Sequence, residues 1–146
     1  MKLTTDVLIV SLFMLPLAGC GEKQTEKTVP GRWYTPSQVD SGRDVFRTHC
    51  ASCHGMNAEG TTRDWKKTLP DGSYPPPPLD GSAHAWHHPK SMLKRTIDRG
   101  GIPLGGTMPG FANKLSDADK DAAIAFFQSH WKDNIYQGWI KRGGLE

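Results

Sequence analysis

Cys50-Ala51-Ser52-Cys53-His54 is the stretch that decides how the rest of this chain is read. Two thiols separated by two residues, with an imidazole directly behind the second, form the pattern of a covalent haem attachment site. The spacing has a chemical reason. Each cysteine adds across one vinyl group of a single porphyrin, and two intervening residues let the pair span its edge. His54 then lies under the iron and offers a ring nitrogen as the proximal ligand. A thioredoxin-like redox pair would need a βαβ context, which the sequence lacks. A zinc site would need more cysteines, and the chain has 3 in all. One such motif implies one haem.

Working outward toward the N-terminus, the 146 residues suit one domain plus an appendage. Residues 1–19 read as a targeting leader: Lys2 gives a positive start, Val7 to Leu15 an apolar run, and Leu17-Ala18-Gly19 a small-residue end. The run falls short of the ~20 apolar residues a spanning helix needs. Leu17-Ala18-Gly19-Cys20 resembles the lipobox of bacterial lipoproteins, and the resemblance implies cleavage before Cys20 and lipidation of its thiol. Several acyl chains on one residue hold a protein stably at a membrane surface. An ordinary secretory leader would leave Cys20 as a free exported thiol, a liability. Cysteine use is then complete, with one for lipid and two for haem. Residues 20–36 are polar and read as a tether, interrupted by Trp33 and Tyr34, which suit either the domain surface or the headgroups. The leader carries one Lys and one Asp, so its removal leaves the net charge at +3. Two ionised haem propionates would bring this to about +1, which excludes a nucleic-acid footprint.

Ser37 or Asp40 can cap a first helix running to about Cys50, with Val39, Gly42, Val45 and Phe46 on its inner face. Gly42 costs such a helix about 1 kcal/mol relative to Ala, and a close helix crossing would explain it. The arrangement Gly42-x-x-x-Phe46-x-x-x-Cys50 resembles the N-terminal helix of class I c-type cytochromes, and the resemblance covers most of residues 37–131. It implies an all-α cytochrome c fold over 37–146, a few helices wrapped around one covalently attached haem c, with Gly42 facing the C-terminal helix.

Gly55 to about Ala85 is too long for an ordinary connection, and a haem core would give it something to pack on. Pro75-Pro76-Pro77-Pro78 within it is stiff, lacks donors and leaves its carbonyls free. In c-type cytochromes a proline carbonyl commonly accepts the other ring N–H of the proximal histidine. The resemblance therefore gives that role to one of these prolines, with Pro78 favoured; a rigid spacer is the alternative. His84, His87 and His88 would share one face of a helix and could then bind a transition metal or the iron. Pro89 opposes a helix through His88, so the plainer reading is a polar entry to the next helix. Trp86 would cover a haem edge or donate its ring N–H to a propionate. A second helix follows from Pro89 to about Asp98, with Met92, Leu93 and Ile97 inward and Lys90, Lys94, Arg95 and Arg99 outward, stopped by Gly100-Gly101.

A haem iron that only shuttles electrons needs a second axial ligand. Met1 and Met14 leave with the leader, Met56 is too near His54 to reach the opposite face, and Met92 is more simply core. Met108 stands in a loop where Gly106 and Gly110 permit a tight path. Thr107-Met108-Pro109-Gly110-Phe111 also resembles the distal methionine loop of class I cytochromes. Met108 is favoured over histidine ligation or an open site. Ser116, with Asp119 as box partner, opens the last core helix, whose Ala123, Phe126 and Phe127, with Trp131, form one face. A short helix from Asn134 to about Arg142 docks through Ile135, Tyr136 and Trp139, and Gly143-Gly144 release the tail.

The expected function is electron transfer by a His54/Met108-ligated monohaem cytochrome between a donor and an acceptor redox protein. The lipid anchor would hold it in a bacterial cell envelope, facing the periplasm or the outer surface of the plasma membrane. Gly21, where inner-membrane lipoproteins often carry Asp, tilts this toward the outer membrane. A haem-based small-ligand sensor and a peroxidase-type enzyme are the alternatives, and both require an open distal site.

Overall fold

The computed structural model describes residues 25–146, which form five α-helices and two single 3-10 turns. The leader, Cys20 and the start of the 20–36 tether lie outside the described residues. No described helix is long and apolar enough to cross a membrane.

Helix α1 runs from Pro36 to His49. Its cap is Thr35, not Ser37 or Asp40. The Thr35 hydroxyl accepts from the Gln38 N–H at 3.2 Å, and the Gln38 side chain accepts the Thr35 N–H at 2.9 Å. This box uses two N–H groups that would otherwise be unpaired, and Pro36 has none to lose. Helix α2 (Ala51–His54) is one further turn that carries the attachment motif and ends at Gly55, φ 79°. From there to the 3-10 turn Ala85–His87 the chain forms no helix. Helix α3 is Lys90–Arg99, α4 is Asp117–Ser129 and α5 is Asp133–Lys141. Ser116 and Asp119 cap α4 reciprocally, as the sequence indicates.

The frame is the crossing of α1 and α4. At Gly42 an added Cβ would lie 1.9 Å from the Ala122 carbonyl oxygen and 3.0 Å from the Phe126 Cβ, so only glycine lets these backbones meet. Phe46 packs on Phe126 beside the crossing, ring centroids 5.1 Å apart. Trp131, just before α5, and Tyr136 and Trp139 within it extend this core, all essentially buried. The Tyr136/Trp139 pair is thus part of the core.

Packing begins before residue 37, so the final part of the expected tether belongs to the domain. Tyr34 is 1 % exposed. The Trp33 indole donates to Gln128 Oε1 at 2.7 Å, and its backbone N–H to the Tyr136 hydroxyl at 3.0 Å. The C-terminal tail is likewise held. The Gly144 carbonyl accepts the Lys90 N–H at 2.7 Å, at the start of α3, and Gly144 lies against the Trp139 ring. Lys90 and Lys94 do not simply face water. They pair with Asp121 at 3.2 and 3.3 Å, while buried Lys120 reaches back to Asp98 at 2.6 Å, binding α3 to α4.

Candidate haem-binding site

Between α1, α3, α4 and the long irregular stretch lies a largely apolar cavity of about 610 Å3. Cofactor sites are commonly about 300–1,000 Å3. Cys50, Cys53, His54 and Met108 all line it. Cys50 is half-buried and Cys53 exposed. Burial, and after it the neighbouring Cys53 thiol, pushes the Cys50 thiol up to about 11.

His54 is 7 % exposed, and its Nδ1 lies 3.0 Å from the Pro77 carbonyl oxygen. With Nδ1–H donating to that carbonyl, the lone pair of Nε2 is left for a metal, and the ring is oriented by a backbone that cannot rotate away. Burial moves the His54 pKa below its ordinary value, partly offset by the Pro77 bond, which keeps the imidazole in the neutral, ligating form. The accepting carbonyl belongs to Pro77, not Pro78. Polyproline geometry turns a third of a revolution per residue, so adjacent carbonyls point in different directions. Pro78 instead packs against Gly60 and is buried there; a Cβ on that glycine would come within 2.8 Å of the Pro78 nitrogen. The loop is pinned over His54 by Gly60 N–H to the His54 carbonyl, by Leu79 N–H to Ala58, and by the Trp131 indole to the Leu79 carbonyl, each at 2.7 Å.

The Met108 loop is held tightly against the end of α3. The Gly101 N–H donates to the Met108 carbonyl at 2.9 Å. A Cβ on Gly100 would stand 2.4 Å from that same carbonyl oxygen, and one on Gly110 2.6 Å from the Asp98 carbonyl oxygen. Gly110 thus has the role the sequence suggested, whereas the second obligatory glycine is Gly100 more than Gly106. Met56 is 51 % exposed and outside the cavity wall. Met92, expected as plain core, also reaches that wall.

The histidine cluster divides. His84 and His88 line the cavity, whereas His87 and Trp86 do not. The segment is a 3-10 turn, so the three imidazoles do not form a helical face. Trp86 packs instead toward α5, with the Arg142 guanidinium 4.4 Å from its ring centroid, which removes it from the haem-edge role. Among the described residues no three His, Cys, Asp or Glu side chains converge to hold a metal ion. Sequence reasoning missed Trp65 and Lys66, which line the cavity beside His84. A tryptophan within an otherwise polar loop was the available signal.

The residues present fit haem c. The cavity is apolar and of cofactor size, two thiols stand at its wall, and a buried imidazole is oriented with one nitrogen free. A family model described as "Cytochrome C oxidase, cbb3-type, subunit III" matches residues 37–127, more than half of the chain. The chain belongs to this cytochrome c family. As a c-type cytochrome of that family it is an electron carrier with an all-α fold, and the family implies haem c as its cofactor. Over 104 residues it is 28 % identical to "Alcohol dehydrogenase (quinone), cytochrome c subunit" from Gluconobacter oxydans (strain 621H). That match takes in 66 % of this cytochrome and only 20 % of the relative. No solved structure gives a significant match.

Proposed function

We propose that this cytochrome carries a single haem, attached through thioethers to Cys50 and Cys53 and ligated by His54 and Met108. In this reading it is a class I monohaem carrier made as a lipoprotein. Cys20 anchors it at the bacterial cell envelope outside the cytoplasm, with the outer membrane favoured by Gly21. It passes electrons between membrane-associated redox proteins. The name of the Gluconobacter relative supports a quinone-linked dehydrogenase complex as one class of donor or host.

The observation that carries the reading is the His54–Pro77 bond in the same cavity that Cys50, Cys53 and Met108 line. Haem supplies reversible one-electron chemistry at its iron when bound. The chain's part is to keep that chemistry fast and directional. His54, fixed by Pro77, donates the nitrogen in one orientation. Met108 offers a soft thioether that favours the ferrous state and so raises the potential. Phe46, Leu93 and Phe127 in the wall exclude water, which acts in the same direction. Exposed Cys53 sets the attached edge near solvent, where a partner can approach through a small, transient contact.

The test is the ferric absorption spectrum of the protein made with haem-attachment machinery, beside Met108→Ala. A weak far-red sulfur-to-iron band in the parent, lost in the variant, is expected. A parent without that band, whose ferrous form binds carbon monoxide readily, would overturn the carrier reading in favour of an open-site sensor or enzyme.

A further inference from the structure

Residues 26–35 precede the first helix and have the composition of a linker, yet they are fastened to α1, α3, α4 and α5. The segment first closes on itself: Gly31 turns at φ 72°, and the Val29 N–H donates to the Tyr34 carbonyl at 2.8 Å. The Arg32 guanidinium lies 4.1 Å from the Tyr136 ring centroid and pairs with Asp133 at 2.6 Å, both on α5. Trp33 is held on three sides. Its indole N–H donates to Gln128 of α4, its backbone N–H to the Tyr136 hydroxyl, and the Lys90 ammonium at the start of α3 lies 3.7 Å from its ring centroid. The Glu26 carboxylate accepts the Ser37 N–H at 3.2 Å in the first turn of α1. Asp133 is exposed, so its ion pair alone is weak. The cations packed on Tyr136 and Trp33, and the buried Tyr34 ring, are what resist release.

Resting on the lipid-anchor reading above, we propose that residues 26–35 act as a clamp that shortens the anchor's tether and holds the N-terminal end of α1 at the bilayer surface. Only residues 21–24 separate Cys20 from Thr25. A chain spans at most about 3.6 Å per residue, so the closed clamp keeps Thr25 within about 18 Å of the lipidated residue. Opened as far as Pro36, the same chain would reach about 58 Å. Flexible chains of these two sizes have r.m.s. lengths of about 12 and about 22 Å.

The clamp also sets which end of the domain is free. Glu26 is fixed at the first turn of α1, and the attachment motif follows its last turn. The 14 residues of α1 put about 21 Å between these ends. Cys53 and the edge attached there therefore stand away from the anchor, and within about 40 Å of the headgroups. The partner this arrangement fits is a redox protein of the same membrane whose extramembrane part presents its own centre at that height. A short tether raises the effective concentration of such a partner, where a long one would spread the carrier over many heights.

The experiment is neutron reflectometry of the lipidated, haem-loaded protein on a supported bilayer of phosphatidylcholine and phosphatidylglycerol, with amide hydrogen exchange measured on the same protein. The parent should show a gap of about 12 Å between headgroups and domain, and slow exchange at the Val29 and Trp33 N–H groups. Inserting about ten Gly and Ser residues between Gln24 and Thr25 should widen the gap nearly twofold and leave that exchange unchanged. The double variant Arg32→Ala, Trp33→Ala should widen it as far by losing the protection at Val29, while keeping the far-red ferric band. Should the double variant fail to attach haem, the parent's exchange rates and the insertion decide the matter. A parent gap already at the wider value, free exchange at Val29 and Trp33, or a gap indifferent to the insertion would overturn the clamp and leave the haem and anchor readings intact. A mature chain whose mass shows no acyl groups on Cys20 would overturn the clamp and the anchor together.

Discussion

Gly42 in α1 lies directly beneath the backbone carbonyl of Ala122 in α4, with room for a hydrogen and for nothing larger. This contact sets how closely the two helices cross, and hence the position of the attachment motif that follows α1. Gly42→Ala would gain about 1 kcal/mol in helix propensity and lose more than that by forcing the backbones apart. A net destabilisation of about 2 kcal/mol is expected in denaturant unfolding of the haem-loaded protein. An alanine variant as stable as the parent would mean that the crossing relaxes freely.

The two methionines in the cavity wall separate by context. Met92 is on helix α3 and partly buried, whereas Met108 is in a loop tied down by Gly100, Gly101 and Gly110. Met92→Leu should keep the far-red ferric band and cost less than about 1.5 kcal/mol, since it conserves volume and apolarity. Met108→Leu should abolish the band and lower the potential. If the Met92 variant loses the band instead, the axial roles are reversed.

The α4 cap offers a purely structural control. Ser116 and Asp119 satisfy each other's backbone N–H groups at 2.9 and 3.1 Å on the solvent side. Ser116→Ala should therefore cost about 1 kcal/mol in chemical denaturation without altering the spectrum or the potential. A change in either spectroscopic readout would mean that the start of α4 bears on the haem cavity more closely than its exposed position suggests.

What the sequence made legible was whatever local chemistry dictates. The attachment motif, the glycine at the crossing, the Ser116 box and the glycine-bound methionine loop each carry a reason within a few residues. What it hid depends on partners far along the chain. Whether Pro77 or Pro78 meets His54 turns on one step of a polyproline twist and on Gly60 holding Pro78 elsewhere. Trp86 looks like a haem cover until α5 and Arg142 are seen to claim it. Trp33 and Tyr34 stand in a segment with the composition of a linker, yet Gln128 and Tyr136, about a hundred residues on, give them their places. The tail after Gly143 has no helical pattern, and it folds back because the Gly144 N–H donates to the Trp139 carbonyl while its carbonyl accepts the Lys90 N–H at the start of α3.

Tyr34 allows this last kind of contact to be tested by pH. Burial pushes its phenol from 10.0 up to about 12, with the Arg32 charge pulling the other way, and burial raises Tyr136 beside it as well. In the unfolded chain both phenols ionise near their ordinary value, while the folded domain resists ionising them. Below pH 10 the phenols are neutral in both states, and the contribution to stability is fully present. Between pH 10 and about 12 the unfolded state releases its protons first, so stability falls as pH rises. Tyr34→Phe keeps the ring within the core and removes one of the two ionisations. Its stability should therefore decline less steeply over that window, in denaturant unfolding followed by near-ultraviolet circular dichroism. Parallel declines for parent and variant would mean that the N-terminal segment detaches before the rest of the domain unfolds, and that residues 25–35 are docked more weakly than Tyr34's burial implies.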